Sequence, residues 1–223
     1  MRRVGSHVTL LALYSLLAGW ATGCGGEPGL LVTIASWPDG VESLRVQSSI
    51  AGQAGEAITV KRGLSRFVVR IPEGREGTLH LDVQGLNKGG CKLAKATLDE
   101  NFGVNLKTTH EASLALTRME QPTCALHIEV VGSGGQVLPS VPLLHCQPGP
   151  GVCEAELPIG SIVELSAMQQ GPEIIRYPWA GDCQGAGDCS LLLDRDRQVR
   201  IGFSPRHCPQ DGLCWHHPLP QGA

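Results

Sequence analysis

Aromatic side chains are scarce in this sequence, at 4% of residues, and charged ones are few, at 17%. There is no basic excess: 18 Lys+Arg stand against 21 Asp+Glu, a formal net charge of −3. A nucleic-acid binder needs a clustered basic face, so no nucleic-acid partner is expected. Beyond Gly29 no long stretch repeats its apolar residues with a 3.6-residue period, and the 223 residues include 29 Gly and 15 Pro. Both facts exclude a mostly helical fold. Signatures of catalysis are missing too. The chain has no Gly-x-Ser-x-Gly elbow, no His-Glu-x-x-His and no Cys-x-x-Cys redox pair. Its carboxylates are scattered, so none pairs with another as acid and base.

What is present points elsewhere. The hydrophobic share of 42% is too high for a disordered chain. Nine cysteines indicate an oxidising compartment. Arg2 and Arg3 give a positive start, and Val8 to Gly23 carries no charge. The apolar run from Val8 to Gly19 has the length of a secretory core segment and is too short to span a bilayer.

The run ends in Ala21-Thr22-Gly23-Cys24. Small residues before a cysteine resemble a bacterial lipobox, although Ala21 stands where Leu is usual. The resemblance implies removal of residues 1–23 and lipidation of Cys24. Residues 24–29, rich in glycine, then read as a tether. Loss of Arg2 and Arg3 leaves 16 basic against 21 acidic residues. Contact with the membrane is therefore expected through N-terminal acyl chains alone, in the cell envelope at the outer membrane.

From residue 30 to 118 short apolar runs alternate with turn residues: Leu30–Ala35, Leu44–Val46, Ile58–Val60, Phe67–Ile71, Leu79–Val83, Leu93–Leu98 and Ala112–Leu116. Leu79-His80-Leu81-Asp82-Val83 alternates with period two, the mark of a half-buried strand. Pro38-Asp39-Gly40 and Pro72-Glu73-Gly74 are turn sequences. Seven runs in this span predict a mainly β fold, with an immunoglobulin-like antiparallel sandwich at the N-terminal end. Met119 to Thr123 reads as a junction. Gly132-Ser133-Gly134-Gly135 lacks the Gly-Lys-Ser/Thr of a phosphate loop and reads as a tight turn between paired strands.

Residues 124–204 carry landmarks in a set order. Gly132-Ser133-Gly134-Gly135-Gln136-Val137 is followed by Cys146 and Cys153, then by Gly160-Ser161-Ile162-Val163-Glu164-Leu165. Trp179-Ala180-Gly181-Asp182-Cys183, Cys189 and Val199-Arg200-Ile201-Gly202-Phe203 complete it. This order resembles the internalin B-type bacterial repeat, in a divergent form in which Arg176-Tyr177-Pro178 precedes Trp179. The resemblance implies a small, disulfide-stapled, β-rich extracellular module without catalytic residues. Cys146 and Cys153 enclose a Pro/Gly-rich loop, and Cys183 and Cys189 enclose a Gly-rich one. Crosslinks of this kind compensate for a small core.

Residues 205–223 form a Cys/Pro-rich tail. Cys208 and Cys214 read as a third local disulfide; with His216 and His217 they also offer a zinc set, against which exported thiols oxidise. Three local pairs leave Cys91 with Cys124 by elimination. Asp182, Asp188, Asp194 and Asp196 lack the alternating oxygen ligands of a calcium loop. No metal or cofactor is expected. Cys214-Trp215-His216-His217-Pro218-Leu219-Pro220-Gln221-Gly222 resembles a segment that leads into propeller-type repeats in secreted bacterial proteins, and is expected to be a leader that has lost what followed it.

The functional expectation is a non-catalytic, lipid-anchored envelope protein acting as a surface spacer or adhesion module. The alternatives are a glycan- or small-ligand-binding lipoprotein and a truncated relative of a propeller-containing secreted protein. Beyond Cys24 only Trp37, Trp179, Trp215, Tyr177 and three Phe remain, few for a glycan surface.

Overall fold

The computed structural model describes residues 29–71, 75–103 and 109–206. Cys24, the turn at 72–74 and the Cys208–Cys214 pair lie outside the described residues. Among those residues every element is a strand, and no helix is long and apolar enough to cross a membrane.

The first unit comprises β1 (Gly29–Ser36), β2 (Ser43–Ile50), β3 (Gln53–Ala54), β4 (Ile58–Lys61), β5 (Arg66–Arg70), β6 (Gly77–Leu86), β7 (Lys92–Phe102) and β8 (His110–Ala115). Each of the seven apolar runs falls on one of these strands, with Ile71 and Leu116 just past the ends of β5 and β8; only the two-residue β3 had no apolar signal. One sheet has the order β5-β1-β8, and the facing sheet runs β7-β6-β2, with β3 and β4 paired to β2. Alternation decides which side chains go inward. Leu30, Val32 and Leu114 on one sheet meet Leu44, Leu79, Leu81 and Val83 on the other in a single apolar core. The sandwich is antiparallel except at one ladder: β1 and β8 run parallel, from Leu30↔His110 to Ser36↔Ala115.

The second unit comprises β9 (Thr117–Gly132), β10 (Gly135–Pro139), β11 (Gly151–Pro158), β12 (Ile162–Gln169), β13 (Ile174–Arg176), β14 (Ala180–Gly181), β15 (Cys189–Leu192) and β16 (Arg197–Pro205). β9 lies between β11 and β16, while β10-β12-β15 forms the other sheet. Its core holds Leu126, Ile128, Val163, Leu165, Ile201 and Phe203, with Trp179 buried among them. The Trp179 indole N–H donates to the Gly187 carbonyl at 2.8 Å, so its one polar atom is satisfied.

The two units share a topology that the sequence does not announce. Strands β1, β2, β5, β6, β7 and β8 correspond in order to β9, β10, β11, β12, β15 and β16. In each set the first strand is antiparallel to the third and parallel to the last. In each set the second, fourth and fifth strands make an antiparallel sheet. Only the inward positions need to be apolar, and the insertions differ: β3 and β4 in one unit, the Cys146 loop and β13–β14 in the other. Shared topology therefore leaves no shared motif.

Two expectations change. The junction at residues 119–123 is not a loop between the units but a stretch of strand, because β9 runs straight through it. Its start pairs with β7 at Thr117↔Lys95 and Arg118↔Ala94, and Thr123 rejoins β7 at Lys92 after a bulge. Residues 132–135 do not join paired strands either; β9 and β10 belong to different sheets. Glycine is required there by the close approach of β16. A Cβ at Gly132, where φ is +79°, would lie 1.9 Å from the Phe203 carbonyl oxygen, and one at Gly135 would lie 2.1 Å from its ring.

Candidate functional site

Chemistry-bearing side chains gather where the two units meet. The loop between β6 and β7 is Asn87-Lys88-Gly89-Gly90-Cys91. Asn87 folds it: the side-chain oxygen accepts from the backbone N–H of Gly89 at 2.8 Å and of Cys91 at 3.0 Å. The loop tip sits on the turn between β15 and β16. The Asp196 N–H donates to the Gly89 carbonyl at 2.9 Å, and the Asp196 carboxylate accepts from the Ala125 N–H at 2.8 Å. A Cβ at Gly89 would come within 2.6 Å of Arg195 Cβ, and one at Gly90 within 2.4 Å of an Asp196 carboxylate oxygen. Only glycine allows this approach.

Cys91 completes the contact. It belongs by chain order to the first unit, but its side chain lies in the core of the second, joined to Cys124 of β9. Lys92, next to it, pairs with Glu156 of β11, which also accepts from the Thr123 hydroxyl at 3.3 Å. Covalent bridge, backbone bond and ion pair thus tie the units at one place.

An open groove of about 700 Å³ lies beside this contact, on the outer face of β11, β9 and β16. Glu154, Glu156, Asp182, Asp196, His127 and Arg197 line it. Its charged side chains are held by partners within the protein. His127 Nδ1 lies 2.5 Å from Glu154 Oε1. Asp182 Oδ1 accepts from Arg195 at 3.0 Å and from Arg197 at 3.1 Å, while Oδ2 accepts from the Gln198 N–H at 2.8 Å. Burial by itself raises the Asp182 pKa, but the Gln198 amide and the two guanidiniums outweigh it and hold the carboxyl below its ordinary value. Arg197 also reaches Asp194 at 2.7 Å and the Leu192 carbonyl. Glu154 and Glu156 tie strands together and Asp182, Asp194 and Asp196 fasten loops, each to its own partners.

The cysteines occupy three bridges among the described residues: Cys91–Cys124, Cys146–Cys153 and Cys183–Cys189. The sulfurs of Cys91 and Cys124 approach an Asp196 oxygen closely enough for a metal site, but bonded to each other they offer no thiolate. His80, like His127, pairs with an acid on an outer face, Asp99 at 2.6 Å. No side chain that is polar or charged is fully buried among the described residues.

A second surface was not foreseen from sequence. The outer face of β10-β12-β15 exposes Leu138, Ile162, Met168 and Leu192. Ile162 and Leu192 stand opposite each other in register, so two of these side chains form one cross-strand patch. The adjacent apolar pair Ile162-Val163 was the available signal, because one of two consecutive strand residues must face out.

No family model and no curated protein matches this chain. Some solved structures are similar to it. A candidate adhesin from Bacteroides ovatus has 10% identity, with 83% of this chain and 89% of that chain covered, at a TM-score of 0.33. The major pilin protein T-13 from Streptococcus pyogenes has 10% identity over 80% of this chain and 96% of that chain, at 0.27. A streptococcal ancillary pilin has 12% identity over 80% of this chain and 63% of that chain, at 0.31. Likeness at these TM-scores carries no argument for this chain, whose all-β fold stands on its own strands.

Proposed function

We propose that the chain is a non-catalytic, lipid-anchored module of the cell envelope, held at the outer membrane by acyl chains on Cys24 and acting as a surface spacer and interaction unit. One observation carries the spacer part of this reading, while the anchor rests on the resemblance of Ala21-Thr22-Gly23-Cys24 to a lipobox. Two sandwiches of the same topology follow each other on one unbroken strand, β9, and the junction is closed by the Cys91–Cys124 bridge. Such a join holds the units in a fixed relation, which is what a spacer needs and an enzyme with a closing cleft does not. The apolar outer face of β10-β12-β15 suits a protein partner. A glycan surface has less support, since Trp179 and Phe203 are taken up by the core and Trp37 packs against the first one.

The test is fractionation of cells making the wild type and Cys24→Ala. The wild type should sediment with membranes and carry acyl mass on its N-terminal peptide, while the variant should be soluble. A wild type without acyl mass, or a variant still bound to membranes, overturns the anchor. Hydrolase panels on the mature protein should read background. Activity abolished by a single Asp or His substitution would refute the non-catalytic reading.

A further inference from the structure

In both units the first and last strands are neighbours and run parallel. β1 and β8 pair from Leu30↔His110 to Ser36↔Ala115, and β9 and β16 pair from Arg197↔Leu126 to Phe203↔Gly132. Parallel pairing has a mechanical consequence. The chain enters the first unit at the start of β1 and leaves it past the end of β8, at opposite ends of the same ladder. Tension along the chain then slides the two strands past each other, and every hydrogen bond of the ladder is loaded together. An antiparallel terminal pair would have both chain ends on one side and would open one bond at a time. The second unit repeats the arrangement, with entry along β9 and exit past Pro205.

The surrounding strands reinforce this geometry. β1 is also held on its other edge by β5, from Gly29↔Arg70 to Thr33↔Arg66, so sliding β1 strains two ladders. β9 is likewise flanked by β11 from Gly151↔Val130 to Pro158↔Thr123. Inward side chains of both entry strands, Leu30 and Val32 in one and Leu126 and Ile128 in the other, are fully buried and resist the same motion. Once the first unit opens, the load at the junction passes through the Cys91–Cys124 bond. Cys91 and Cys124 stand 33 apart in sequence, and their bridge keeps the intervening chain, with β7 and β8, out of any extension.

We propose that the two parallel end-strand ladders are shear clamps, and that this chain bears tension along its length. The proposal deepens the spacer reading and rests on it only for the source of the load. Its partner is a mechanical one, whatever pulls on the C-terminal side of a chain held at its N-terminal side.

Single-molecule pulling of the full mature chain tests it, with handles attached through groups other than cysteine. Pulled from end to end, both units should rupture at high force. In the comparison the N-terminal handle stays and the second moves to Thr109, beside the start of β8, so that the β1–β8 ladder is peeled instead of sheared. End-to-end rupture should need several-fold more force than peeling, since forced unfolding reports the barrier to that particular opening. Equal forces in the two geometries overturn the clamp. The load path has its own readout. On opening the first unit, Cys91→Ala/Cys124→Ala should release more chain than the wild type by on the order of 110–120 Å, the extended length of the enclosed residues. Equal released lengths overturn the covalent load path. Rupture force reads the clamps in the isolated protein and fractionation of Cys24→Ala reads the anchor, so the two readings fail separately.

Discussion

Removing the Cys91–Cys124 bridge is the most informative change to this fold. The chain-entropy treatment relates a bridge's contribution to the loop it closes. For the separation of 33 residues it gives about 3.5–4 kcal/mol, against about 2 kcal/mol for the separations of 7 and 6 in the other two bridges. Replacement by alanine avoids leaving a hydroxyl unsatisfied in the core where both sulfurs are buried. Cys91→Ala/Cys124→Ala is therefore expected to lower the melting temperature by roughly 8–15 °C, given about 2–4 °C per kcal/mol for a chain of this size. Cys183→Ala/Cys189→Ala should lower it by about half as much. The structure adds a qualitative expectation. Cys91 is the residue through which the first unit enters the second core, so its loss should also uncouple the two cores. A single calorimetric transition should broaden or split. The assay is scanning calorimetry of wild type and both double variants without reductant. A long-bridge variant no less stable than the short-bridge variant, melting in one sharp step, refutes the claim that this bridge joins the units.

Two further outcomes follow from the geometry. Because the folded pKa of Asp182 lies below the unfolded value, the unfolded chain binds more protons in acid, so this group's contribution is present above about pH 4 and fades as pH falls through the folded pKa; Asp182→Asn should flatten the acid limb of melting temperature against pH, and an unchanged limb would disprove the clamp by Arg195 and Arg197. Gly90→Ala and Gly149→Ala both force a side chain onto a positive φ, at about 1–2 kcal/mol, but only the former drives a Cβ into Asp196 while the latter meets open space; urea titration should show Gly90→Ala as the clearly more destabilised, and equal losses would mean that the loop does not dock as described.

The strands were legible from local sequence. Period-two alternation such as Leu79-His80-Leu81-Asp82-Val83 is a local property, because side chains on a strand must point to opposite faces, and its reading needs no partner strand. Short loops determined Cys146–Cys153 and Cys183–Cys189 in the same way, since few intervening residues leave few geometries. The Cys91–Cys124 bridge was reachable by counting, but its meaning was not: nothing near Cys91 says that it reaches into the second core. That depends on how Asn87 folds its loop and on the room that Gly89 and Gly90 leave for Asp196. Pairing direction was equally hidden. Alternation is the same for parallel and antiparallel strands, so the β1–β8 and β9–β16 ladders, and with them the repeated topology, were decided only when distant segments packed. The outer apolar patch of Leu138, Ile162, Met168 and Leu192 belongs to that class as well. Its members are spread over three strands, and only the sheet register puts Ile162 opposite Leu192.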